Sequence, residues 1–278
     1  MKIERTKKAV GVGTWYAAAL LLALVFAVPF LWMFLSALKP ANEIFVNPPI
    51  LISSHYSLAN FGRVFQQAPF GRYLFNSFVV SAVVTVAGLI FHSMSGYALA
   101  RLEFPGRNFL FIGILSTLMV PFYTILIPLA VIVRHLGWMN TYWALIIPAI
   151  PHAFGIFCLR QFFLGLPRDL EDAARIDGAS RVGIFLFVAL PLARPVLAAL
   201  AVFFFLANWD AFLWPLIATS RPEMRVVQVG IQAYTGEHGN AWELIMAASL
   251  IAILPTLFLF FLLQRFIVAS ARMTGLKG

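Results

Sequence analysis

The sequence predicts an all-α integral membrane protein: six transmembrane helices, with a short helix in the loop between the fourth and the fifth. Three observations carry this. Hydrophobic residues make up 62% of the 278 positions and charged residues only 11%, with a mean hydropathy of +0.89; soluble domains run at roughly 45–50% apolar and about 25% charged. Charge-free stretches recur along the chain, and a helix needs about 20 mostly apolar residues to cross a bilayer. These stretches lack the period-two alternation of a barrel, which leaves the helix as the way to satisfy every backbone group in lipid. An ordinary soluble enzyme, a disordered chain and a disulfide scaffold are excluded.

The first helix, about 14–37, fills the run between Lys8 and Lys39. It exceeds the core of a signal peptide, so it is read as an uncleaved span. The second, about 74–99, lies between Arg72 and Arg101, and the third, about 109–132, between Arg107 and Arg134. The fourth, about 141–160, ends at Arg160. The fifth, about 188–214, draws on a stretch from Pro195 to Ser220 whose one charge is Asp210, and the sixth, about 244–265, lies between Glu243 and Arg265. The expected organisation is a tail over 1–13, a six-helix domain over 14–265 with a loop at about 164–184, and a tail over 266–278.

Of the 20 Lys and Arg residues, 14 fall on the two tails and the loops after the second and fourth helices, against 6 on the other side. Basic residues collect on cytoplasmic loops. Both termini are therefore expected in the cytoplasm, and the net charge of +9 has the same origin. No basic run interleaved with aromatics points to nucleic acid. Cys158 stands alone in an apolar run and reads as a small hydrophobe. The outer segments 39–73 and 215–243 are longer than ordinary connections, a length that marks binding loops or folded spacers.

The loop after the fourth helix carries the most information. Pro167 suits a helix start. Asp169, Glu171 and Asp172 place negative charge at the positive end of the macrodipole. Leu170, Ala173 and Ala174 fall at i, i+3 and i+4 and share a small apolar face, able to enter a partner's groove or to lie on the membrane. Gly178 fits the left-handed residue that ends a helix, and Ser180 can cap the next.

This loop resembles the signature of ABC-transporter permease subunits: Glu-Ala-Ala, three residues, Gly, nine residues, Ile, one residue, Leu-Pro. Here Asp172-Ala173-Ala174 is followed by Gly178 and by Val188-Ala189-Leu190-Pro191 at that spacing, with Asp for Glu at 172 and Val for Ile at 188. Asp177-Gly178-Ala179-Ser180, Asn208 through Pro215, Tyr97 through Arg101 before Phe104-Pro105-Gly106, and the Thr274–Gly278 tail are similar to the carbohydrate-importer branch, the maltose and glycerol-phosphate type. That branch carries Glu where Asp210 stands.

The resemblance implies a bacterial or archaeal inner-membrane permease that imports a sugar, oligosaccharide or polyol. Glu171, Asp172, Ala173, Ala174, Asp177 and Gly178 would dock on an ATPase. The implied partners are a second homologous permease, two ATP-binding-cassette ATPase subunits holding ATP and Mg, and an extracytoplasmic solute-binding protein. Membrane lipid surrounds the spans. This chain contains no Gly-x4-Gly-Lys-Ser/Thr phosphate loop, so it is expected to be no enzyme and to bind no cofactor or metal. The five histidines form no His-Glu-x-x-His pattern, and Ser95-Gly96 lacks the preceding Gly of an intramembrane serine protease. Half of a dimeric ion-coupled carrier is the alternative. That reading wants a midplane carboxylate.

Polar residues within the spans are His92, Ser93, Ser95, His152, Asn208 and Asp210. Such residues line pathways or join helices. Sixteen residues separate Arg194 from Asp210, roughly 24 Å of helix, which places the acid near the outer mouth rather than the midplane. Asn208, Trp209 and Asp210 are the candidate pathway residues. Trp209 and Trp214 read as interfacial anchors, with sugar stacking as the alternative.

Overall fold

The computed structural model describes residues 2–48, 50, 52–53, 55–236 and 239–274. The end of the C-terminal tail and Glu237 and His238 of the outer loop lie outside the described residues. Three helices are long and apolar enough to cross a membrane unbroken: α1 (Lys2–Leu38) through its Trp15–Leu38 part, α3 (Phe70–Arg101), and α14 (Trp242–Thr274) through Trp242–Leu262. Three bent helix pairs pass the same test, so among the described residues the spans number six where each pair crosses once.

The bent pairs correct the expectation of continuous third, fourth and fifth helices. The third runs as α4 (Arg107–Ser116) with a 3-10 turn to Met119, then α5 (Phe122–His135), at 101° to each other. The fourth runs from α6 (Tyr142–Ile146) with a 3-10 turn to Ala149, then α7 (Ala153–Leu164), bent by 41°. The helix α8 (Arg168–Ile176) follows. The fifth opens with α9 (Arg181–Ile184), a π-helical turn over Phe185–Ala189 and α10 (Leu190–Leu192), and turns 74° into α11 (Arg194–Trp209). Pro121, Pro151 and Pro195 stand at the three breaks. A proline removes a ladder donor and crowds the preceding turn.

The chain divides into two compact units, residues 69–230 with 254–278 and residues 1–68 with 231–253. In the first, α3 packs against α7 and α11. Gly96 permits the approach to α7: a Cβ there would lie 3.0 Å from both the Arg160 nitrogen and Leu159 Cβ. One core gathers Tyr97, Leu159, Phe163, Ala193, Leu200 and Phe204; another gathers Val80, Val84, Leu145, Trp214, Val226 and Val229. The segment after α11, α12 (Leu213–Ala218), a 3-10 turn over Pro222–Met224 and α13 (Val227–Ile231), is tied down by side chains. Asn76 Nδ2 donates to the Glu223 and Arg225 carbonyls at 2.8 Å each, and Ser77 Oγ accepts from the Val227 N–H at 2.8 Å. Asn140, at φ 61°, accepts the N–H groups of Ser220 and Arg221.

In the second unit the Trp15–Leu38 part of α1 presents apolar side chains on every side, and its most apolar stretch is unburied. Its end is fastened by α2 (Ala59–Gln67), where Asn60 Nδ2 donates to the Ala37 and Lys39 carbonyls at 2.9 Å. Tyr234 donates its hydroxyl to the Val64 carbonyl at 2.6 Å, and Arg63 faces Glu243 at 3.6 Å. A hydrogen bond from Ser53, with His55 beside it, holds the Glu43 carboxyl below the usual carboxylate range. Two two-residue strands, Thr235–Gly236 and Gly239–Asn240, pair antiparallel, and the fold is otherwise helical, as the sequence predicts.

Candidate functional site

The loop from Leu164 to Ile184 is built from local signals. Pro167 takes an extended conformation at ψ 132° as the residue that caps α8, and Arg168 opens the helix. Asp169 and Glu171 lie in its first turn, where the macrodipole favours acids. The helix ends on Gly178 at φ +84°. The Ala179 N–H reaches the Ala174 carbonyl at 2.9 Å and the Gly178 N–H reaches that of Arg175 at 3.1 Å, the paired bonds of a left-handed stop. Ser180 Oγ accepts the Gly183 N–H at 3.1 Å and starts α9.

One side of α8 is anchored. Glu171 is buried, and its Oε1 lies 3.0 Å from Arg101 Nε, with side chains 10% and 6% exposed. The Nε–H angles away from that oxygen, so the attraction is charge on charge rather than an aligned hydrogen bond. Arg101 also donates through Nη2 to the Leu166 carbonyl at 2.5 Å. The last residue of α3 therefore grips the loop ahead of α8 and the carboxylate within it. A polar cavity of about 340 Å³ adjoins this grip, lined by Tyr97, Arg101, Glu171, Asp172, Arg175 and Arg181 among others.

The other side of α8 is open. Leu170 is 44% exposed and Ile176 88%, with Ala173 exposed between them. Asp172 points outward and pairs with Arg175 at 2.7 Å, a surface contact of about 0.3–0.5 kcal/mol. Asp177 is exposed and Ala174 half-buried. The tethered acid is therefore Glu171, one position before the residue aligned with the signature. Arg101 was not singled out from sequence as a site residue; its signal was a lone cation closing a charge-free run ahead of an acidic loop.

At the far end of α11 the three candidate pathway residues separate. Asn208 lines a mainly apolar cavity of about 310 Å³ with Val80, Phe122, Leu145, Phe212 and Trp214, and spends an amide hydrogen on the Phe204 carbonyl at 2.7 Å. Trp209 is 1% exposed and stacks on Phe205 at 5.8 Å. Trp214 is buried too and donates its indole N–H to the Ala144 carbonyl at 2.9 Å, so both tryptophans are packing residues here rather than interfacial anchors. Asp210 is exposed and accepts from Gln228 at 3.2 Å.

Residues 88–273 match the profile of the binding-protein-dependent transport system inner membrane component. The chain belongs to this family. The permease is 38% identical to an arabinooligosaccharides transport system permease protein, AraQ, of Halalkalibacterium halodurans, across 92% of this chain and 93% of that one. It is 34% identical to the trehalose/maltose permease MalG of Thermococcus litoralis, across 94% and 95%, and 35% identical to the sn-glycerol-3-phosphate permease UgpE of Pectobacterium atrosepticum, across 84% and 86%. Its fold matches a chain in the crystal structure of a bacterial ABC transporter that imports the acidic polysaccharide alginate, at a TM-score of 0.80 and 22% identity, across 91% and 95%. The permease is thus a multi-pass inner-membrane component of a binding-protein-dependent transport system.

Proposed function

We propose that this permease imports a carbohydrate or polyol as one of two related membrane subunits, with ATP hydrolysed on Mg by two separate ATPase subunits docked at α8. An extracytoplasmic binding protein delivers the solute, and both termini and α8 face the cytoplasm. The observation that carries the docking reading is the two-sided character of α8. Its open face of Leu170, Ala173 and Ile176 offers a groove-filling surface, while Glu171 and Leu166 are held by Arg101. A helix free on one face and fastened on the other transmits a push into α3. Glu171, Asp172, Ala173, Ala174, Asp177 and Gly178 form this coupling element. The apolar surface of α1 supports a second permease as neighbour, and the arabinooligosaccharides, trehalose/maltose and sn-glycerol-3-phosphate of the relatives' names support a polyhydroxylated solute.

Transport is by alternating access. ATPase closure moves α8, and the binding protein biases the equilibrium by binding one state better than the other. Asn208 and Asp210 stand at the outer mouth. The test is to purify the assembly encoded beside this chain, reconstitute it in liposomes, and measure which solute stimulates hydrolysis and uptake. Stimulation by an oligosaccharide or glycerol-phosphate is expected. Stimulation by an amino acid or peptide alone overturns the substrate class, and uptake without any ATPase overturns the mechanism.

A further inference from the structure

His92 lies in α3, nine residues before Arg101, which is about 13 Å of helix and near the middle of a core about 30 Å thick. It is 2% exposed. Its Nε2 sits 2.9 Å from the Ile150 carbonyl oxygen and 3.1 Å from the His152 backbone nitrogen. Those two groups flank Pro151, at the break between the 3-10 turn ending at Ala149 and α7. One ring nitrogen thus faces an acceptor from one half of the fourth span and a donor from the other.

The place is built for this ring. A Cβ on Gly155 would lie 2.5 Å from His92 Nδ1, and one on Gly88 would lie 3.2 Å from its Cε1. Phe204 of α11 packs at 5.1 Å from the rings of both His92 and His152. Among the described residues, His152 is a titratable side chain close enough to His92 for their charges to interact. The Nδ1 atoms of both histidines are buried without a hydrogen-bond partner.

An uncharged imidazole carries one proton on one nitrogen. With the proton on Nε2 it donates to Ile150 and holds the first half of the span. With the proton on Nδ1, Nε2 accepts from the His152 N–H and holds α7, the half that leads into α8. It cannot do both. We propose that His92 is a positioning residue of the transport cycle, a two-position latch that fastens α3 to one half of the broken fourth span in one state and to the other half in the next. This rests on the proposed coupling through α8. Passing from one to the other breaks one ring N–H bond and makes the other, the proton exchanging through water admitted as the latch opens, and two discrete arrangements are what a conformational cycle needs.

The test uses the reconstituted assembly with 15N-histidine in this chain, in nucleotide-free and ATP-locked states. The His92 signals are assigned by their loss in His92→Gln or, should that variant fail to assemble, in a chain whose other four histidines are replaced. The expected result is a change of His92 tautomer between the states; one tautomer in both overturns the latch. The glutamine amide can donate and accept at once. His92→Gln, if it assembles, should therefore hold both halves and lower turnover about tenfold at unchanged KM for the solute. Wild-type turnover in an assembled His92→Gln complex also overturns it. If the wild-type assembly shows no solute-stimulated ATPase, the coupling reading itself fails instead.

Discussion

Replacing Arg101 tests the coupling path most directly. Arg101→Leu leaves Glu171, 10% exposed, facing an apolar side chain, and frees the Leu166 carbonyl. Removing one partner of a buried ion pair typically costs about 3–5 kcal/mol, because the remaining charge is uncompensated. The off-line Nε–H places this pair at the lower end, about 3 kcal/mol. At about 1.4 kcal/mol per decade, the docking of α8 on α3 weakens by roughly two orders of magnitude. Hydrogen exchange at the α8 amides of the reconstituted assembly should accelerate by that factor, with exchange along α3 unchanged. Solute-stimulated uptake should fall while ATPase subunits still co-purify, since the open face of α8 is untouched. Arg101→Leu with Glu171→Leu should restore most of the protection, because an apolar pair leaves no orphan charge. If Arg101→Leu exchanges and transports like the wild type, Arg101 is not the fastening of α8 and the load path through α3 is refuted.

Gly178→Val should lose coupling more than Gly178→Asn, since the φ of +84° admits Asn far better than a branched residue while nothing lies within 4 Å of the added Cβ; uptake beside ATPase co-purification reads this. Ala173→Arg should insert normally yet detach the ATPase, as an exposed alanine on the docking face gives way to a long cation. Gly230→Ala would place a Cβ 2.1 Å from the Tyr73 ring and should destabilise the assembly by about 1–3 kcal/mol, seen as a lower melting temperature. Reporter fusions at Lys8 and Lys277 should both read cytoplasmic, from the 14-to-6 basic asymmetry.

The span positions were legible because lipid imposes long apolar runs. Their breaks were not, and proline alone does not explain why. Pro29, Pro128 and Pro255 lie inside the helices α1, α5 and α14 without interrupting them, while Pro151 stands in a gap. At Pro151 the freed backbone groups meet His92, a residue 59 positions away. Distance along the chain hides such a partner. The same applies to Glu171 and Asp172. Adjacent helical residues differ by about 100° in direction, so composition does not tell which acid turns inward; Arg101, 70 positions earlier, decides it. Gly178 and Ser180 act within a few residues of themselves, and their stop and cap could be read directly. The two tryptophans misled because an aromatic near a span end packs as readily as it anchors.

What distinguishes α3 is where its polar contacts fall. Arg101 at one end holds the loop before α8 and Glu171 within it. His92 touches the break of the fourth span. Asn76 and Ser77, 25 and 24 residues from Arg101, hold the segment 223–227, whose Val226 lines the same cavity as Asn208. At about 1.5 Å per residue these ties span roughly 37 Å. An unbroken helix packed against its neighbours transmits displacement rather than absorbing it. On the proposed coupling, motion delivered to α8 would reach the 223–227 segment through α3, and His92 would pass part of it to the break of the fourth span. On the proposed coupling the unbroken α3 would act as the lever, so the contacts most sensitive to substitution should lie on α3 rather than on the exposed Trp15–Leu38 length of α1.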